Sequence, residues 1–159
     1  MRFRQLDKIT ELIPGQRIVA VRHMLGDEDC LRDHFPLLPV MPGVLMLEAL
    51  FQASCWLVRA TEQFENSLLI LKEVRNVKFA DFMEPNQTLQ ITSEILKLES
   101  GTVLLKATGH KGDSLAVSAR LVLGKSSLKA RDQDLAPLDE FMREQMRVQF
   151  EQLTHASNG

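Results

Sequence analysis

The pattern of hydrophobic and polar positions divides most of the chain into a buried helix and a later series of strands. From residue 44 to about residue 60 almost no polar face is left, and a helix that is apolar nearly all round must be buried on most sides. A polar break follows, and the pattern then changes to period two, which is typical of strands. On this basis strands are predicted at residues 68–79, 88–98, 102–110 and 115–123.

The connections indicate how these strands pair. An earlier strand is predicted at residues 18–22, behind a Pro14-Gly15 turn. Short glycine-containing connections at residues 99–101 and 111–113 suit hairpins, so the last three strands are expected to form an antiparallel meander. A strand, a long buried helix and then consecutive strands indicate an α+β fold, with one sheet wrapped around a central helix.

The C-terminal part of the chain has a different pattern. Residues 125–134 are mostly polar and are interpreted as a linker, and Pro137 with two acidic residues after it marks a helix start. Apolar residues then recur at helical spacing: Leu138, Phe141, Met142, Met146, Phe150 and Leu153. We expect this amphipathic helix to pack on its own domain or on a dimer partner. A membrane-surface helix is less favoured, because its polar positions mix acidic and basic residues.

Composition removes several classes of function. A length of 159 residues suits one domain, and a net charge of −2 gives no support to nucleic-acid binding. The longest apolar run, residues 44–50, is interrupted by Glu48, so we expect no membrane span, and the start of the chain does not resemble a secretory signal. The only cysteines are Cys30 and Cys55, which argues against a disulfide framework or a zinc site and favours a reducing cytoplasm.

Residues 33–49 hold the side chains that could carry chemistry. His34 is followed by Pro36, Pro39 and Pro42, whose spacing predicts a stiff extended segment. Gly43 then opens the buried helix, and its N–H belongs to the unpaired first turn, at the positive end of the helix dipole. Such a donor could stabilise a developing oxyanion, and glycine lets a substrate approach the backbone closely.

Glu48 lies just over one turn into the same helix, with no cation on that helix to pair with it. A carboxylate there either finds a tertiary partner or has a pKa raised by desolvation, which would suit proton transfer. Each residue also has a structural explanation when taken singly. A histidine beside Phe and Pro can be a packing residue, the glutamate can belong to an ion pair, and the prolines can mark a boundary.

The combined spacing, His-Phe-Pro-x-x-Pro-x-x-Pro-Gly-Val-x-x-x-Glu-Ala, resembles the FabZ-type (3R)-hydroxyacyl-[acyl carrier protein] dehydratases. The resemblance continues to Gln52 and is looser over residues 10–21 and 69–87. It implies a hot-dog fold, a curved antiparallel sheet around a long central helix, over residues 1–125. Residues 126–159 would then be a polar linker and an added C-terminal helix. It also implies homodimers with shared active sites and leaves open a trimer of dimers.

The same resemblance assigns roles. His34 of one protomer would take the C2 proton, Glu48 of the other would position or protonate the leaving hydroxyl, and the Gly43 N–H would polarise the thioester carbonyl. Phe35, Val44 and Gln52, with Gly43, would bind the substrate, which arrives on the phosphopantetheine arm of acyl carrier protein. No metal or redox cofactor is implied. Glutamate rather than aspartate at position 48 favours the dehydratase-only type over the bifunctional dehydratase/isomerases.

Some features depart from the family pattern. Asp33 stands where glycine is common, and its carboxylate either raises the pKa of His34 or points to solvent. Arg59, Lys72, Arg75 and Lys78 are candidates for docking an acidic carrier protein, or are solvated surface charges. Two other functions remain open, a hot-dog acyl thioesterase and a non-catalytic protein that binds acyl groups or their carrier.

Overall fold

One antiparallel sheet and one long helix dominate the computed structural model, which describes residues 2–155. The strands are β1 (Lys8–Ile13), β2 (Arg17–His23), β3 (Leu68–Phe79), β4 (Thr88–Leu98), β5 (Thr102–Lys111) and β6 (Ser114–Ser126). The helices are α1 (Asp29–Asp33), α2 (Gly43–Thr61), α3 (Leu128–Arg131) and α4 (Ala136–Thr154), with a 3-10 turn at Gln133–Leu135. The strand order β1-β2-β4-β5-β6-β3 leaves β1 and β3 as edges.

The core lies between α2 and the inner face of the sheet. α2 packs against β2, β3, β4, β5 and β6, so the sheet wraps around it. Leu50 and Leu57 of α2 are fully buried, as are Ile91 of β4 and Leu105 of β5. Burial stabilises each such side chain by roughly 1.5–3 kcal/mol. The predicted α+β architecture, a sheet around a central helix with an added C-terminal helix, is therefore confirmed.

The elements predicted from periodicity are found close to their predicted bounds. The central helix, the strand now labelled β2 and the β4-β5-β6 meander are all present, and β3 and β4 begin and end where predicted. β6 is longer than predicted, by one residue at its start and three at its end.

Three local features differ from what the sequence led us to expect. The N-terminal edge strand β1 was not predicted. The proline-containing segment between His34 and Gly43 is not extended throughout, because the N–H of Leu38 donates to the carbonyl oxygen of Phe35 at 2.8 Å and closes a turn, and the residues before His34 form α1. The polar linker contains α3, where the Ser127 hydroxyl caps the helix by accepting from the N–H of Ala130. Short capped turns of this kind have no periodic apolar signal.

The C-terminal helix packs on its own domain, one of the two expected arrangements. Phe150 of α4 lies with its ring centroid 6.0 Å from that of Trp56 and 5.5 Å from that of Phe64. Leu138 and Phe141, near the start of α4, stay 47% and 60% exposed, so only the second half of the apolar stripe is used.

By length and composition, α2 alone within residues 2–155 could cross a membrane. We expected Glu48 to prevent this helix from crossing a membrane, but the length and composition of the helix still allow it. Half of the apolar window is nevertheless buried inside the protein, and the core helix of a soluble protein passes the same test.

Candidate active site

His34 follows α1 directly, and the backbone fixes the tautomer of its ring. Nδ1 of His34 lies 3.1 Å from the carbonyl oxygen of Val40. A carbonyl oxygen can only accept, so Nδ1 carries the proton in this contact, and in the neutral ring the free lone pair is on Nε2. The His34 N–H donates to the carbonyl oxygen of Cys30 at 3.2 Å, which ties the residue to α1. A neutral imidazole held this way can act as a base through Nε2.

A cavity of about 450 Å³ lies between His34 and the start of α2. Its wall includes His34, Phe35, Met41, Gly43, Val44, Met46 and the segment 79–82. The ring of Phe35 lies 4.4 Å from that of His34, centroid to centroid, and its backbone has φ +48°. That conformation costs a bulky residue on the order of 1–3 kcal/mol, and such strain is concentrated at functional sites. No sequence signal marks this conformation.

Gly43, the first residue of α2, lies in close contact with the ring of Phe79. A Cβ at this position would lie 3.0 Å from Cδ1 and Cε1 of Phe79. Within residues 2–155 no acceptor is found for the Gly43 N–H, as expected in the first turn of a helix. The site therefore combines a free backbone donor at the positive end of a helix dipole with a histidine base, both at one cavity.

Glu48 has a neutral partner rather than a cation. Its Oε1 accepts a hydrogen bond of 3.0 Å from Nε2 of Gln52, one turn along α2, and the carboxylate is half-buried. Gln52 Nε2 also donates to the carbonyl oxygen of Phe3 at 2.7 Å, and its Oε1 accepts from the N–H of Gln5 at 2.8 Å. The partner of Glu48 thus comes from its own helix, and Gln52 is itself held by the N-terminal segment.

A buried network that the sequence did not suggest connects Glu48 with the helix before His34. Arg22, fully buried on β2, donates to both carboxylate oxygens of Glu28 at 2.8 and 2.6 Å, and Glu28 directly precedes α1. Arg22 Nε donates to Oε1 of Gln5 at 3.1 Å, and Gln5 reaches Glu48 through Gln52. Burial by itself raises the pKa of Glu28, but the hydrogen bonds and charge of Arg22 outweigh it and leave that pKa below its usual value.

The structure separates the predicted residues into two groups. His34, Phe35, Gly43 and Val44 line the first cavity. Gln52, the partner of Glu48, lines a different cavity of about 700 Å³ between residues 2–7, α2 and α4. Neither of these two cavities is lined by both His34 and Gln52. Neither of these two cavities of the single chain therefore contains all the predicted site residues.

The remaining charged candidates are also located. Asp33 is exposed at the end of α1, consistent with the solvent-facing alternative. Lys72, Arg75 and Lys78 are exposed on β3, and Arg75 forms an ion pair with Glu73. Arg59 differs from these, because it is half-buried, its guanidinium lies over the ring of Trp56 and it lines the larger cavity. Within residues 2–155 no group of acidic, His and Cys side chains could hold a metal ion.

The strand order and the central helix define the fold class of the protein. The chain has the hot-dog fold. A solved structure with this fold is the dehydratase heterocomplex ApeI:P from Xenorhabdus doucetiae. The superposition has a TM-score of 0.65 and 15% sequence identity, and it covers 84% of this chain and 90% of the other.

The family follows from sequence comparison. A family model for the FabA-like domain matches residues 1–120. The 3-hydroxyacyl-[acyl-carrier-protein] dehydratase FabZ of Clostridium kluyveri is 31% identical over 120 residues, which are 76% of this chain and 83% of the relative. The FabZ of Levilactobacillus brevis is 34% identical over 116 residues, 73% of this chain and 78% of the relative. This chain belongs to the FabA-like family and, within it, to the FabZ type.

Proposed function

We propose that this chain is a dehydratase that converts (3R)-3-hydroxyacyl-acyl carrier protein to the trans-2-enoyl product, in fatty-acid or related lipid or polyketide synthesis. The observation that carries the proposal is the contact between His34 Nδ1 and the carbonyl oxygen of Val40. It leaves Nε2 free as a base at a cavity that also contains the unpaired N–H of Gly43. The curated relatives that carry the FabZ name support the same reaction.

Each group has one task in the elimination. Nε2 of His34 removes the proton from C2, and the Gly43 N–H donates to the thioester carbonyl oxygen as negative charge develops there. Glu48 donates a proton to the departing C3 hydroxyl and later regains one from the His34 imidazolium, or it orients the hydroxyl through a water while the imidazolium supplies the proton. The C2–H and C3–O bonds break, a C2=C3 double bond forms, and one water leaves. Phe35 and Val44 contact the acyl group near the thioester, and Gln52 holds Glu48 in position.

The protomers would form a homodimer in which His34 of one chain faces Glu48 of its partner. This arrangement accounts for the positions of His34 and of Gln52, the partner of Glu48, at two different cavities of one chain. β3 supports it, because it is a long edge strand and exposes Val77 and Phe79, to 40% and 52%. Unpaired edges that carry apolar side chains favour pairing with another chain. A trimer of such dimers is compatible with the same surfaces.

The rest of the assignment follows from the reaction. Acyl carrier protein would deliver the acyl chain on its phosphopantetheine arm, and Lys72 and Lys78 would offer positive charge to this acidic partner. The steps above use only groups of the chain and the substrate. We assign catalysis to residues 1–125 and treat residues 126–159 as an addition to that domain. The free thiols of Cys30 and Cys55 suit a cytoplasmic enzyme.

The direct test is incubation of the purified protein with a short (3R)-3-hydroxyacyl-acyl carrier protein, followed by the absorbance of the conjugated enoyl thioester. We expect His34→Ala and Glu48→Gln to reduce turnover by roughly 100- to 10,000-fold. The matched controls His23→Ala and Glu94→Gln, both at exposed strand positions, should stay close to wild type. A free acid as product would indicate a thioesterase. Carrier binding without turnover would indicate an acyl-binding protein, and either result would overturn the proposal.

A further inference from the structure

The larger cavity, between residues 2–7, α2 and α4, has the size of a ligand site. Its volume is about 700 Å³, and small-molecule sites usually measure about 300–1,000 Å³. α2 contributes Phe51, Gln52, Cys55, Trp56 and Arg59 to its wall. At helical spacing these residues continue along the face of α2 that carries Glu48. The cavity is therefore a continuation of the proposed catalytic face of this helix.

Arg59 brings a positive charge into this cavity without a carboxylate to balance it. Its Cζ lies 5.1 Å from the centroid of the Trp56 ring, its Nε is buried without a hydrogen-bond partner, and within residues 2–155 it forms no ion pair. The neighbouring thiol of Cys55 does not supply the missing charge. Burial raises the pKa of that thiol to about 12, so it stays neutral near pH 7.

The other charged groups of the wall leave an excess of positive charge. Arg2 and Asp7 pair with each other, and Arg4 adds another cation. The remaining wall is largely apolar and includes Phe51 of α2 and Leu153 of α4. Arg59 is half-buried, its Nε has no hydrogen-bond partner and no carboxylate balances its charge, so an anion that enters the cavity would be stabilised there. The complementary ligand thus has an anionic group attached to a hydrocarbon chain.

We propose that this cavity binds an alkyl carboxylate, with the carboxylate beside Arg59 and the chain extending along α2 toward Glu48. Glu48 and Arg59 lie about 16 Å apart along the helix axis at the usual rise per residue. Two sources share this chemistry. One is a free fatty acid. The other is the far end of an acyl chain whose thioester lies at the catalytic residues, and this second source rests on the proposed function.

Trp56 supplies the measurement, because it is the only tryptophan of the chain and forms part of the cavity wall. The full-length protein is titrated with dodecanoate and with dodecanol, below micellar concentrations, and Trp56 fluorescence is followed. We expect saturable binding, with dodecanoate favoured by about tenfold or more, because Arg59 hydrogen-bonds only the charged ligand strongly. Arg59→Gln should remove this preference and keep dodecanol binding, which shows that the cavity is still folded. The control Arg120→Gln, on the exposed side of β6, should behave as wild type.

Three results would overturn the proposal: no saturable change, equal binding of the two ligands by the wild type, or a preference that survives Arg59→Gln. None of them involves turnover, so failure here is distinct from failure of the dehydratase assignment. A second comparison identifies the source. The KM is measured for two hydroxyacyl substrates that differ only at the far end of the chain, one with a carboxylate and one with a methyl group. If the carboxylate substrate has the lower KM and Arg59→Gln removes the difference, the ligand of the cavity is the acyl chain of the substrate. Equal KM values, with fatty acid binding intact, identify the free acid.

Discussion

The chemistry at the residue scale depends on groups that the backbone holds in place. The carbonyl oxygen of Val40 fixes the tautomer of His34, and the Phe79 ring lies so close to Gly43 that a larger side chain there would have to displace it. Phe35, which follows His34 in the segment that leads to Gly43, has a strained left-handed backbone. A base, a backbone donor and a strained residue at one cavity are the arrangement expected where a substrate is bound in a defined orientation.

Gly43→Ala tests the contact with Phe79. The added methyl group would meet the ring at 3.0 Å, and the half-exposed ring can shift to make room, so the fold should be retained. The shift would narrow the cavity beside His34, and we expect turnover to fall by roughly tenfold to a hundredfold. Gly101→Ala is the matched control, because nothing lies within 4 Å of its added Cβ. Equal activity of the two variants, measured with the enoyl assay and thermal melts, would contradict this role of Gly43.

The spacing from His34 to Gln52 was sufficient to predict candidate site residues, because their chemistry lies in one continuous segment. The network through Arg22, Glu28 and Gln5 could not be predicted in the same way. Its members come from separate parts of the N-terminal half and meet only when β2 and α1 are packed. The strained φ of Phe35 is likewise a consequence of the surrounding structure, since phenylalanine has no preference for that conformation.

At the scale of elements, one buried carboxylate attaches α4 to the rest of the chain. Oδ1 of Asp139 accepts from the Ser67 hydroxyl and from the N–H of Leu128 at 2.8 Å, and its Oδ2 pairs with Arg143 at 3.2 Å. Burial alone would raise the pKa of Asp139. The hydrogen bond from Ser67, the backbone donors and the charge of Arg143 outweigh burial and hold the pKa below its ordinary value.

Asp139→Ala should loosen α4, because Ser67 and the backbone of α3 would lose a buried acceptor. We expect a loss of about 1–3 kcal/mol in the free energy of unfolding. Hydrogen exchange should accelerate first in α4. Glu144→Ala is the control, since Glu144 makes only an exposed ion pair with Arg147 on the same helix. Unchanged exchange in α4 of the Asp139 variant would show that the aromatic contacts of Phe150 hold the helix alone.

The same carboxylate makes the attachment of α4 dependent on pH. A group whose pKa is lowered by folding contributes stability that is complete above its unfolded pKa, near the ordinary value of 3.8. That stability is lost as the pH falls from there through the lowered pKa of the folded state. The stability difference between wild type and Asp139→Ala should therefore shrink in acid, as measured by denaturant unfolding at pH 6 and pH 3. A constant difference would exclude the ionised carboxylate as its source.

The longer elements could be predicted from the sequence, and the short ones could not. Periodicity over nine or more residues located α2, α4 and the strands β3 to β6, because each is long enough for an apolar pattern to repeat over several turns or strand positions. β1 is a six-residue edge strand, and α1 and α3 contain five and four residues. They are held by hydrogen bonds, caps and tertiary contacts, and too few residues contribute to a periodic pattern.

At the scale of the whole molecule, the unpaired edge of β3 is the surface proposed for the dimer. Val77→Asp places a charge on this edge and should shift the protein toward monomers in sedimentation velocity experiments, with a parallel loss of activity. Leu96→Asp is the control, because Leu96 has a similar exposure, 46% against 40% for Val77, but lies on the inner strand β4. Monomeric wild type, or identical behaviour of the two variants, would exclude pairing through β3.

Mixing two inactive variants is the most direct test of an active site shared between protomers. His34→Ala and Glu48→Gln are unfolded together in equal amounts and refolded, so that the subunits assort at random. In each heterodimer one site would contain both an intact His34 and an intact Glu48. The mixture should then regain about a quarter of wild-type activity, because half of the dimers are mixed and each has one working site. A refolded mixture as inactive as either variant alone would contradict a dehydratase site built from His34 of one protomer and Glu48 of the other.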